Sequence, residues 1–166
     1  MVRAYLGTIT ASLVGLAALE SGPALGDAIP SVSVLGLAGR WTGQGTMTPA
    51  SGPAEPFKCV ITYFPNGDGS QVKQNLRCKG AQSKFDAATD LEIQGANVTG
   101  KWEDKVYWLN GTVSGTTKDG GFDLLLAGQF FQAKLIVVSS PCEQSVKVVP
   151  EDTSGMKEMA AVLKRC

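Results

Sequence analysis

The sequence predicts an all-β protein, a single antiparallel up-and-down β-barrel of about eight to ten short strands stapled by two disulfides. Three observations carry that expectation. Stretches in which apolar and polar residues alternate succeed one another along most of the chain. The connections between them are short, which places successive strands side by side. The four cysteines make an even count, and two of them bound the clearest hairpin. A two-sheet β-sandwich is the alternative arrangement of the same strands.

A chain of 166 residues allows one domain with a real core. Residues 1–26 read as a cleaved signal peptide. Met1-Val2-Arg3 gives a positive start, Ala4 to Ala18 is mostly apolar, and Ala24-Leu25-Gly26 offers small residues at the cleavage site. The apolar run is about 15 residues, short of the roughly 20 that span a bilayer. Export to the periplasm or beyond follows, with a mature chain from Asp27 and no stable membrane insertion. Residues 27–36 lack a period and read as an extended lead-in, and residues 37–166 form the barrel domain.

From Leu37 to Thr48, Trp41, Gly43, Gly45 and Met47 share one face of a first strand, which the prolines of Thr48 to Pro56 end. Phe57 to Cys78 then reads as a hairpin whose turn centres on Asp68-Gly69. Setting Cys59 opposite Cys78 places Ile61 opposite Leu76 and Tyr63 opposite Gln74, so strand pattern and turn chemistry agree on one register. Cys142 and Cys166 pair by elimination. The next strand, Lys84 to Ile93, has Phe85, Ala87, Thr89, Leu91 and Ile93 on a dry face and charged residues on a wet one. Strands follow at Asn97 to Lys105, Leu109 to Thr117, Phe122 to Ala127, Phe130 to Val138 and Cys142 to Val149. The tail, Met156 to Arg165, has helical propensity but also fits a strand with Met159, Ala161, Leu163 and Arg165 on one face. Periodicity does not decide between them.

Equal numbers of basic and acidic residues, 15 each, remove the electrostatic case for a nucleic-acid partner. The chain has no histidine, which rules out Ser-His-Asp, Cys-His and His-zinc chemistry. Without histidine or a CxxC pair, no metal site is expected. Asp86, Asp90 and Glu92 suit a solvated sheet face better than a carboxylate pair for catalysis, so no enzyme and no cofactor are expected. The inward positions supply the candidate ligand-lining set: Trp41, Tyr63, Gln74, Phe85, Trp102, Phe122 and Phe131. The core of a small barrel needs the same rings, and that role is the commoner one for them. Gly43, Gly45, Gly100, Gly111 and Gly115 fall on the same faces, where they either bend the strands or leave room inside. Tyr107, Trp108 and Phe130 fall outside the inward set and together suggest a surface contact patch.

Gly39-Arg40-Trp41 is similar to the G-x-W entry of calycins, in which the tryptophan plugs one end of a barrel beneath a basic residue from a late strand. Arg165 or Lys164 would take that part here. The segments RWTGQGT, KCVITYF, QNLRC, VTGKWED, GTVSG and SPCEQSV also resemble a group of small exported proteins of alphaproteobacteria, rhizobial relatives in particular. That resemblance covers most of Arg40 to Cys166 and implies export, a β fold and a strand-like tail. The expected function is an exported non-catalytic barrel binding a small apolar ligand or lipid. The alternative is an envelope protein-interaction or inhibitor module with a filled barrel.

Overall fold

The computed structural model describes residues 34–118, 120–130, 132–151 and 155–166. The expected signal peptide, most of the lead-in and Phe131 lie outside the described residues. Where the described chain begins, Val34–Leu37 forms a single 3-10 turn. The end of the lead-in is therefore folded rather than extended, because Leu37 inserts into the core while its carbonyl accepts the Trp41 indole N–H at 2.9 Å.

Ten strands follow: β1 Gly39–Pro49, β2 Glu55–Pro65, β3 Gln71–Gly80, β4 Lys84–Gln94, β5 Asn97–Asp104, β6 Leu109–Lys118, β7 Gly121–Gly128, β8 Gln132–Ser139, β9 Glu143–Pro150 and β10 Met156–Lys164. Each strand pairs with its neighbours in the chain, and β1 pairs with β10 to close the barrel, which excludes the sandwich. The tail is thus a strand: Met159, Ala161 and Leu163 are buried, and Gly43↔Leu163 and Gly45↔Ala161 face one another across the closure. Its helical propensity yields to the unpaired edges of β1 and β9, whose backbone groups it satisfies.

The β2–β3 hairpin has the expected register, with Cys59↔Cys78, Ile61↔Leu76 and Tyr63↔Gln74. Its turn is fixed by Asp68, whose carboxylate accepts the Ser70 backbone N–H at 2.9 Å and the Ser70 hydroxyl at 2.7 Å. These bonds hold the Asp68 carboxyl below its ordinary value. Disulfides join Cys59 to Cys78 and Cys142 to Cys166, over separations of 19 and 24 residues. In the chain-entropy account each stabilises by about 3 kcal/mol.

Two inward glycines show what such positions do. A Cβ at Gly43 would overlap the Val162 carbonyl, and one at Gly111 the Ala127 carbonyl. Neighbouring backbones approach too closely there for a side chain, so these glycines bend the wall and leave no ligand space. Outward positions such as Thr42, Gln44, Lys73, Arg77, Asp90 and Glu92 are polar while the interior is apolar, the reverse of a barrel that faces lipid. No described helix is long and apolar enough to cross a membrane.

Candidate functional site

Up-and-down connectivity gives the barrel two ends of different construction. At one end lie the 3-10 turn, the start of β1, the β8–β9 turn and the C-terminus. Trp41 is 0% exposed there, with Leu37 beneath it and the Arg165 guanidinium 4.5 Å from its ring centroid. Arg165 also donates to the carbonyls of Gly36 at 2.8 Å, Ala38 at 3.1 Å and Pro141 at 2.7 Å, which lashes the C-terminus across the plug. The Cys142–Cys166 disulfide completes that end. Of the two basic candidates for the late-strand role, Arg165 takes it.

A layer above, Tyr63 and Gln144 are both buried. The Tyr63 hydroxyl donates to Gln144 Oε1 at 3.2 Å, and Gln144 Nε2 donates to Ser139 Oγ at 2.8 Å. Burial pushes the Tyr63 phenol well above its ordinary value. The polar groups buried here are matched to one another, and Phe122 packs fully buried in the same core. Trp41, Tyr63 and Phe122 are thus packed as core side chains.

The other end is hollow. A cavity of about 150 Å³ opens between the β5–β6 and β9–β10 turns. Leu76, Phe85 and Ala87 from β3 and β4 form one wall, with Trp102 and Leu109 from β5 and β6 beside them. Leu126, Val148, Met156 and Met159 from the later strands form the opposite wall. Tyr107 stands at the mouth, its ring 6.1 Å from that of Phe85 and tilted by 60°. The charged group in the lining is Asp104, and both its oxygens are engaged. Oδ1 accepts the N–H groups of Val106 at 2.9 Å and Tyr107 at 2.8 Å, while Oδ2 accepts that of Asp86 at 3.1 Å. Asp104 is a turn clamp that shapes the mouth.

Of the seven residues expected to line a ligand site, Phe85 and Trp102 border this cavity. Gln74 faces inward, half-buried, outside the cavity lining. Leu76, Ala87, Leu126, Val148 and the two methionines stand outside the expected ligand-lining set, because aliphatic side chains at inward positions carry no signal that separates a cavity wall from packed core. Met156 had a further disguise. Thr48 pairs with Glu158 but Pro49 with Met156, so Lys157 is an extra residue that shifts the alternation and brings Met156 to the mouth.

The rim beside the mouth is aromatic. Trp108, in the β5–β6 turn, is 86% exposed and has φ of 56°, a left-handed backbone that costs a side-chain-bearing residue about 1–2 kcal/mol. Phe130, expected to begin a strand, stands instead in the β7–β8 turn, 77% exposed. Between the two rings lies a groove of about 90 Å³ that Trp102 and Leu109 also line.

No protein-family model and no curated protein sequence matches the chain. Among solved structures, an S-type phycobiliprotein lyase from Guillardia theta superposes with a TM-score of 0.54 at 13% identity, over 79% of this chain and 87% of that one. The likeness carries the barrel and not the lyase activity. With Trp41 seated under Arg165 in a closed antiparallel barrel, the fold is calycin-like.

Proposed function

We propose that this protein is an exported, non-catalytic carrier that takes the apolar end of a small amphiphile into the open half of its barrel. The observation that carries the reading is the cavity itself: apolar, floored by a packed layer, and open on one side. Its size constrains the occupant. About 150 Å³ accepts a benzene-sized group, whereas drug-sized ligands need pockets of about 300 Å³ or more. The end of an acyl tail or one ring enters, and the remainder of the molecule stays at the mouth. Met156 and Met159 suit such an occupant, since unbranched thioethers repack around tails of different shape.

Two observations support a non-catalytic role. The carboxylate facing the cavity, Asp104, is committed to backbone N–H groups. Asp90 and Glu103 line a separate groove that they share with Lys101, and neither lines the apolar cavity. Two disulfides and the apolar leader support a periplasmic or secreted location.

The test is a melting series of the oxidised protein with dodecanoate, dodecanol and small aromatics. Ligand binding to the folded state raises the midpoint, and Ala87→Phe, which plugs the cavity from β4, is expected to remove the shift while the barrel still melts cooperatively. Wild-type protein whose midpoint none of these compounds moves would sink the carrier reading.

A further inference from the structure

We infer that the open end docks on a lipid bilayer surface through Trp108 and Phe130, with Tyr107 between them and the mouth. The inference extends the carrier reading by naming the source from which the amphiphile enters, but it stands on different residues. Among the described residues the exposed large aromatics are Phe64, Tyr107, Trp108 and Phe130, and three of those four sit on the two turns beside the cavity. Chance burial along ten strands would not collect them at the one hollow end.

The posture of Trp108 points the same way. Asp104 grips the N–H groups of Val106 and Tyr107, and the turn it shapes holds Trp108 at positive φ with its indole in solvent. Strained backbone of this kind persists where the surrounding structure imposes it, and it gathers at functional sites. The rim is also continuous with the interior. Trp102 and Leu109 line both the cavity and the groove under Trp108 and Phe130, so the rim and the cavity share two apolar side chains.

A bilayer fits this patch better than a protein does. Three aromatic side chains bury at most about 150–250 Å² each, below the roughly 800 Å² per partner of a standard protein interface. A bilayer needs no matched counter-surface, and indole and phenol rings favour its interface, where one edge is dry and the other wet. Charge contributes little. Lys105 on the β5–β6 turn lies 3.8 Å from Glu103, so the contact is apolar in character and nearly indifferent to anionic lipid.

The test is flotation of the oxidised protein with phosphatidylcholine vesicles, with and without phosphatidylglycerol, read together with tryptophan emission. Trp41 is 0% and Trp102 8% exposed, so Trp108 dominates any response to lipid. A blue shift, quenching by bromine-labelled acyl chains, and comparable binding to the two vesicle types are expected. Replacing both rim rings, Trp108→Ala with Phe130→Ala, should weaken partitioning by about tenfold or more with an unchanged melting midpoint. Wild-type protein that neither shifts nor floats overturns the inference, as does a double variant that floats like wild type or binding confined to anionic vesicles. The carrier reading is separated by dodecanoate in vesicle-free buffer: the rim variant keeps that midpoint shift, whereas Ala87→Phe loses it and still floats. Loss of flotation alone removes the docking surface, and loss of the dodecanoate shift alone removes the carrier.

Discussion

At the Leu37 end of this barrel, an indole, a guanidinium and a disulfide converge on one point; at the Tyr107 end, aliphatic side chains stand apart around an empty space. Both ends are built on the same ten strands, with one bulge at Lys157 in their in-and-out alternation. They differ in what reaches across. The closed end receives a 3-10 turn from before β1 and Arg165 from after β10, two chain segments that cover it. Among the described residues no comparable segment crosses the open end, and its walls carry a small residue at Ala87 and pliable ones at Met156 and Met159. An end is closed by a segment that crosses it, and alternation by itself only builds the wall.

Substitutions can test that contrast, beginning with the plug. Trp41→Ala should cost about 3–5 kcal/mol in denaturant unfolding, since it opens a large void and strips Arg165 of its ring. A loss under about 1 kcal/mol would mean the closed end is not the stabilising one. Tyr63→Phe should cost about 1–2 kcal/mol by leaving Gln144 Oε1 buried without its donor. The same variant has a pH signature. The folded-state pKa of Tyr63 lies above its unfolded value near 10, so at higher pH the unfolded chain loses a proton that the folded protein keeps. The resulting stability is fully present below about pH 10 and declines as pH rises through the folded value. Melting curves recorded across that range should show a shallower decline for Tyr63→Phe.

In the hollow half the same class of change should matter less. Leu126→Ala is expected to cost about 1 kcal/mol, because its side chain is half-buried beside space that already exists. A cost as large as that of Trp41→Ala would erase the difference between the ends. The smallest effect should carry the opposite sign. Trp108→Gly relieves a left-handed backbone, offset in part by the entropy of a freer unfolded chain, for a net gain of about 0.5 kcal/mol. A clear loss in thermal melts would show that the indole is held by packing.

Much of the molecule was legible before folding was considered. The Phe57 to Cys78 register could be read because a hairpin is local: turn chemistry, alternation and two cysteines all constrain the same few pairings. Trp41 was legible through resemblance to the calycin entry, which left its basic cover open between Lys164 and Arg165; only the closed sheet sets Arg165 over the ring. The site was less legible. The seven candidates share an inward position and mostly aromatic character, which does not separate a ring that fills a layer, such as Tyr63, from one that borders a cavity, such as Phe85.

The sequence by itself determined the β class, the order of the first nine strands and most of their faces, and the pairing of the cysteines, because a two-residue period and tight turns act over a few neighbours. The tertiary structure decided which end is hollow, that Gln144 reaches Tyr63 across 81 positions, and that the extra residue Lys157 brings Met156 to the mouth. Those outcomes depend on the height of each residue along the barrel axis. That height is set by the stagger of all ten strands when the first pairs with the last.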